Sequence, residues 1–482
     1  MLLVKREFLI NIILLFVINL MIKPIYIFGI EAKVQDLTGL ESYGLYFFYF
    51  NFIFLFQFIN DPGLQSWNAQ YVPKNRIGVA RLLPEVFQAK LLMSIVFIAL
   101  TNMISYLLGY LDGMMIFFIS LSFVLSSVFM ILRGMIAGLG HYRIDSFISA
   151  LDKFLLIIIL GYLIYFADLK QDFDIIWFVW IQCIVYTLVS IFAAAILLSK
   201  TKVEFYFLSL RRLVFILREG APFILIMIFM TAYNKLDGVM LGWLLDDNKF
   251  QAGVYAAAYR FYETANMGGF LFASLLLPMY AANLNQSPIL NELINTGTKL
   301  TLAICLIITG TIFFFGEDIL KILYSQYQPV LFLTLKILII AYCMVAVSYI
   351  FGTYVTATGN VRSLNIVFAA GLSVNIVLGL ILIPKYGALG AAINTLTTQF
   401  LVMIGQIYLV KNQLDLNPLK NDLVNIVFYG LSVISVFWLV TSISKGSWLP
   451  NMVVSILICV PLTFIFKILD KNDIRKMIRE KR

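Results

Sequence analysis

Long apolar runs, separated by short polar or basic stretches, recur from one end of the chain to the other. A helix needs about 20 mainly apolar residues to cross about 30 Å of hydrocarbon, because each residue adds about 1.5 Å. Runs of that kind lie at residues 8–28, 43–59, 87–108, 114–132, 147–166, 175–198 and 221–244. They continue at 253–280, 296–315, 330–355, 364–383, 388–410, 424–442 and 448–468. The pattern predicts an all-α integral membrane protein of about 14 transmembrane helices.

Composition sharpens this picture. With 61% hydrophobic and 13% charged residues and a mean hydropathy of +0.93, the chain lies outside the range of soluble globular domains. The formal charge of +9 would suit a nucleic-acid partner if the basic residues formed a soluble stripe. They sit between apolar runs instead, so no nucleic-acid partner is expected. With the N-terminus inside, the inner segments hold Lys5, Arg6, Lys74, Arg76, Arg81, Arg133, Arg143, Lys200, Lys202, Arg211, Arg212, Arg218, Arg362, Lys411 and Lys420. The tail adds Lys471, Arg475, Lys476, Arg479, Lys481 and Arg482, whereas the outer loops hold little beyond Lys33, Lys170, Lys249, Lys321, Lys385 and Lys445. That asymmetry predicts a bacterial inner-membrane protein with both termini cytoplasmic. Lys5 and Arg6 precede an apolar run without a small-residue cleavage site, so the first run is expected to remain as a span. The inner connection 200–220 mixes basic residues with Phe205, Tyr206, Phe207 and Leu208, which predicts an interfacial helix. Cys183, Cys305, Cys343 and Cys459 all fall within apolar runs and predict small core residues.

An internal repeat organises the spans. Tyr43-Gly44-Leu45-Tyr46-Phe47-Phe48-Tyr49-Phe50-Asn51-Phe52 matches Ala252-Gly253-Val254-Tyr255-Ala256-Ala257-Ala258-Tyr259-Arg260-Phe261 at Gly, Tyr, Tyr and Phe. Gly138-Leu139-Gly140-His141-Tyr142-Arg143 likewise matches Ala357-Thr358-Gly359-Asn360-Val361-Arg362. Each match joins spans six helices apart, so both copies share one orientation. This predicts two parallel six-helix bundles around a central cavity, residues 1–200 and 201–415. Residues 416–482 would add two further helices and a basic cytoplasmic tail.

Several segments carry a family likeness: Thr38-Gly39-Leu40-Glu41-Ser42-Tyr43-Gly44-Leu45-Tyr46, Asp61-Pro62-Gly63-Leu64, Arg133-Gly134, and Asn234 with Asp237 followed by Ala252-Gly253-Val254-Tyr255. Over the first twelve spans the chain resembles the polysaccharide branch of the multidrug/oligosaccharidyl-lipid/polysaccharide exporter superfamily, most of all the O-antigen (Wzx-type) flippases. The resemblance implies translocation of an undecaprenyl-diphosphate-linked oligosaccharide from the cytoplasmic to the periplasmic leaflet by alternating access. It also implies partnership with membrane lipid, an O-antigen polymerase and a chain-length regulator. An ion-coupled multidrug exporter of the same superfamily is the alternative, although drug exporters usually have twelve spans. A membrane polysaccharide polymerase or ligase is a third reading. It calls for one long outer loop, and the longest here covers only residues 29–42.

Ionisable groups inside spans mark the candidate site, because a lone charge there costs about 3 kcal/mol on insertion scales. Lys235 and Asp237 fall past the middle of the seventh run, and Arg260 and Glu263 fall one turn apart in the eighth. Asn234 and Asn266 lie near them, Lys23 sits in the first run, and Asn51 occupies the repeat position of Arg260. On the flippase reading Lys235 and Arg260 attract the diphosphate, since a guanidinium matches phosphate oxygens bidentately. Asp237 and Glu263 are then competing partners or sites for a coupling proton or sodium ion. On the plainer reading these four close into ion pairs that fix helix packing. Lys23 and Lys336 are candidates for snorkelling, as are Lys90, Lys153 and Lys299 near inner span ends, and Asp61 for capping the turn at Pro62-Gly63. The chain lacks a nucleotide-binding loop, a metal-ligand cluster and a nucleophilic triad. Neither an enzyme nor a cofactor is therefore expected, and transport energy must come from an ion gradient or from use of the product.

Overall fold

The computed structural model describes residues 18–65, 68, 72, 79–110, 112–167, 173–201, 207–245, 249–411, 413–414, 417–444 and 446–468. The expected beginning of the first span, the segment holding Phe205 and Tyr206, and the basic tail lie outside the described residues. Among the described residues all regular structure is helical. Ten helices among the described residues are long and apolar enough to cross a membrane.

The first unit, Met1–Gly253, begins with α1 (residues 18–24). This helix runs through a π-helical stretch, Ile25–Glu31, into α2 (Ala32–Leu55). Gly39 breaks α2 with φ 81° and ψ 166°, a conformation essentially restricted to glycine, and so separates the first span from the second. Next come α3 (Gln57–Asn60), α4 (Val79–Leu107), α5 (Gly113–Gly138), α6 (Tyr142–Ile148), α7 (Leu151–Tyr165), α8 (Ile175–Lys200) and α9 (Leu210–Leu244). Local chemistry sets several starts. Asp174 accepts from the Ile176 amide at 3.1 Å and Ser209 from the Arg212 amide at 3.2 Å, each satisfying a backbone donor that the first turn leaves open. Because α9 already starts at Leu210, residues expected in a separate interfacial helix continue directly into the seventh span. The longest packed pairs in this unit are α5 on α8 and α9 on α2.

The second unit, Val254–Arg482, takes most of α10 (Phe250–Ala282) and then α11 (Ser287–Leu323) and α12 (Pro329–Ala357). There follow α13 (Val361–Lys411), α14 (Asn417–Ile443) and α15 (Trp448–Ile465). At 51 residues α13 is too long for one crossing. Gly387, at φ 57° and ψ −130°, divides it into the two spans expected there. The last two helices dock on α11 through Ala303, Phe315, Tyr429, Val433, Phe437 and Cys459. Large apolar side chains such as Ile95, Ile158, Ile191, Leu380, Val427 and Leu457 stay exposed, as lipid-facing positions should. This is a multi-pass, all-helical membrane protein.

Candidate functional site

In the first unit Asn51 and Lys235 come to the contact of α2 with α9. Glycine makes that contact close. A Cβ at Gly238 would fall 2.7 Å from Asn51 Nδ2 and 2.9 Å from the Phe47 ring, and one at Gly242 would fall 2.2 Å from the Phe48 ring. Small residues let helix backbones approach in this way. Asn51 is 1% exposed and donates to the Phe47 carbonyl at 2.7 Å. Lys235 places Nζ 5.5 Å from the centre of the Phe54 ring, whose face carries the negative side of the aromatic quadrupole. Asp237 is buried one turn from Asn234, which donates to the Met230 carbonyl at 2.8 Å.

Lys23 belongs to different surroundings. The charges whose fields reach it are Asp152, Lys153 and Arg133. Lys153, expected to snorkel, is instead caged. Its Nζ lies 4.7 Å from the Tyr26 ring centre and 5.5 Å from that of Tyr186, donates to the Tyr186 hydroxyl at 3.1 Å, and stands 3.5 Å from the Asp152 carboxylate. The tyrosines come from the π-helical stretch and from α8, so only the folded chain assembles this cage.

Lys90 departs from expectation too. It is 2% exposed and points into the bundle, where Nζ donates to the Asn60 carbonyl at 2.7 Å, to Asn60 Oδ1, and to the Ser127 hydroxyl at 2.8 Å. A snorkelling lysine would keep its ammonium wet; this one finds an acceptor for each of its three protons. Asp61 accepts from the Gln65 amide at 3.2 Å and thereby caps the turn, as its spacing suggested.

In the second unit Arg260 is 4% exposed on α10. Its guanidinium donates to the Tyr324 hydroxyl and lies 6.0 Å from the centre of that ring. Tyr324 caps the end of α11. Beside Arg260, the Tyr255 and Tyr259 rings stack at 5.5 Å and Tyr259 meets Tyr262 at 5.1 Å. Glu263 is exposed and Asn266 half-buried, with Asn266 Oδ1 accepting no hydrogen bond among the described residues. A polar seam continues onto α13. The Tyr255 and Thr395 hydroxyls lie 2.9 Å apart, and Gln399 donates to the Tyr262 hydroxyl at 3.4 Å.

Sequence reasoning singled out Arg260 and missed Tyr324, which lies 64 residues on in a short turn without periodicity. Lys299, another expected snorkeller, is also an ion-pair partner. Its Nζ is 3.0 Å from the Asp422 carboxylate, which further accepts from Asn295 at 3.1 Å. No three His, Cys, Asp or Glu side chains gather as a metal would require among the described residues.

Comparison with known proteins adds a frame to this geometry. The family described as "Polysaccharide biosynthesis protein" matches residues 8–283. No curated protein matches the sequence. Among solved structures the chain is similar to the lipid II flippase MurJ in an inward closed conformation, with a TM-score of 0.72 at 16% identity, covering 94% of this chain and 98% of that one. It is also similar to an inward-facing multidrug resistance MATE family transporter of the MOP superfamily, with a TM-score of 0.65 at 14% identity, covering 82% and 95%. At such identities the likeness establishes the fold, and that fold is one used by membrane transporters.

Proposed function

The chain belongs to the polysaccharide biosynthesis protein family, and from that membership we propose that it is a flippase for a polyprenyl-diphosphate-linked oligosaccharide. The observation that carries this reading is the burial of Arg260 in α10, a helix long and apolar enough to cross a membrane, with Lys235 on the helix α9 before it, in a chain of this family. Cationic side chains are costly at that depth and persist where they serve an anionic cargo or a built network. A diphosphate is such a cargo, and a guanidinium fork fits its oxygens.

In this reading the substrate is the undecaprenyl-diphosphate-linked O-antigen repeat unit, moved from the cytoplasmic to the periplasmic leaflet of the bacterial inner membrane. Both termini lie in the cytoplasm. Residues 1–200 and 201–415 act as two six-helix lobes in alternating access, with 416–482 appended. Arg260 and Lys235 attract the diphosphate, and Lys23 is a separate cation of the cavity. Asn51, Asn234 and Asn266 belong to the same cavity, and Asp237 and Glu263 are competing partners of the cations or sites for a coupling proton or sodium ion. A polymerase and a chain-length regulator take the product onward. Sheltering hydroxyls and phosphates from bare hydrocarbon removes the barrier that makes unaided flipping slow.

A multidrug exporter is the second reading, favoured by the likeness to a MATE family transporter. Two helices beyond twelve, α14 and α15, built onto α11, favour the flippase. Replacing Arg260 with alanine decides the matter: surface polysaccharide should disappear while the protein level holds. Normal polysaccharide in that variant removes Arg260 from the substrate path. Drug sensitivity on deletion, with polysaccharide intact, establishes the exporter instead.

A further inference from the structure

Three glycines bring the backbone of α2 against the beginning of α10. Gly39, at φ 81°, turns the chain so that the Leu40 carbonyl oxygen lies 2.0 Å from where a Cβ of Gly253 would be. A Cβ on Gly44 would stand 2.1 Å from the Lys249 carbonyl oxygen and 2.7 Å from the Gly253 nitrogen. No side chain fits between these backbones. Gln35, 1% exposed, then donates from Nε2 to the Gly253 carbonyl at 2.8 Å. Lys249 closes one flank with its Nζ 5.5 Å from the Phe48 ring centre.

We propose that this seam, Leu40–Gly44 of α2 against Lys249–Gly253, is the extracytoplasmic gate of the transporter, with Gln35 as its latch. The proposal rests on the flippase reading and on the topology that goes with it, which puts both turns on the outer face. Two features suit a gate. Backbone laid directly on backbone at Gly44 and Gly253 leaves no room for water when the seam is closed. The Gln35 amide joins the two sides through a neutral hydrogen bond, and such a bond is readily exchanged for water. Gly44 and Gly253 also occupy the same position in the two copies of the sequence repeat. The gate is thus one element used twice, closing on itself, and its opening would release the sugar outward.

The test places one cysteine, Leu40→Cys, at a position that is buried while the seam is closed. Labelling by a membrane-impermeant maleimide from the outer face should be slow. Adding Gln35→Leu, which removes the latch without adding bulk to the seam, should speed it by about tenfold. An unchanged labelling rate overturns the gate. A second arm reconstitutes Gly44→Ala and Gly253→Ala and follows flipping of undecaprenyl-diphosphate-linked N-acetylglucosamine in proteoliposomes. Each added methyl meets a carbonyl oxygen, so both should flip at least about tenfold more slowly while the Leu40→Cys site labels fast. Wild-type flipping in either variant overturns the gate. Should the unaltered protein move none of this lipid, the flippase reading fails, and the maleimide rates still decide whether the seam opens. If either alanine variant fails to fold, the Gln35→Leu labelling decides alone.

Discussion

Arg260 donates to the hydroxyl of Tyr324, and the two residues, 64 positions apart, are both buried. A hydrogen bond from a charged donor contributes about 1.5–3 kcal/mol when its acceptor has no substitute. Tyr324→Phe keeps the ring beneath the guanidinium and deletes only the acceptor. It should therefore lower unfolding stability in detergent by that amount. Arg260→Lys keeps the charge and loses the planar fork, so polysaccharide export should fall more steeply than stability does. Equal falls in both would make Arg260 a packing residue alone.

The spans themselves were legible in the sequence, because length and apolarity are local properties and lipid imposes them on every crossing. The break between the eleventh and twelfth spans was legible for the same reason, although the helix reads as continuous until Gly387. Charged residues were another matter. Lys90, Lys153 and Lys299 lie near span ends, where a long stem reaches water readily, so snorkelling was the natural expectation. Their partners, Asn60 and Ser127, Tyr26 and Tyr186, and Asp422, lie 30 to 127 residues away and are chosen by helix packing. One-dimensional spacing carries no such information. The repeat was visible as a motif, but the direct approach of Gly44 to Gly253 appears only in three dimensions.

Lys90 should be among the costliest single residues to replace. Lys90→Met fits the same volume but takes the lysine donor from the Asn60 carbonyl and the Ser127 hydroxyl, and leaves Asn60 Oδ1 with the Ser94 hydroxyl at 3.3 Å. Each buried neutral acceptor left without a donor costs about 1–3 kcal/mol. The variant should accumulate poorly and melt early in detergent. Pairing it with Asn60→Leu and Ser127→Ala removes the side-chain acceptors, though not the residue-60 carbonyl, and should recover part of the loss. Wild-type melting of Lys90→Met would show that water reaches this site.

Lys299 and Asp422 join α11 to α14, at 3.0 Å and mostly shielded, with Asn295 as a third member. Reversing either charge alone leaves two like charges facing across the helix pair. Lys299→Asp or Asp422→Lys should each cost about 1–3 kcal/mol, and the double reversal should restore much of it. Protease susceptibility of the connection before α14 reads this directly, since the last two helices dock on α11 chiefly through apolar contacts. Equal cleavage in single and double variants would show that the apolar contacts alone hold the pair.

Glu85 and Arg212 form the weaker counterpart, at 2.9 Å between the second turn of α4 and the first turn of α9. Both side chains are part-exposed, so screening limits the pair to about 1 kcal/mol or less. A neighbouring contact works alongside it: Gln88 Oε1 accepts the Leu208 amide at 3.0 Å and so anchors the chain just ahead of α9. Glu85→Gln should accordingly leave detergent stability within about 1 kcal/mol of wild type, and raising the salt should erase even that difference. Gln88→Leu should do more harm than Glu85→Gln, since it leaves a backbone donor without its acceptor. Proteolysis of the connection between α8 and α9 distinguishes them: cutting should speed up in Gln88→Leu and hold near the wild-type rate in Glu85→Gln. The reverse order would make the ion pair, rather than the amide, the tie between these two helices.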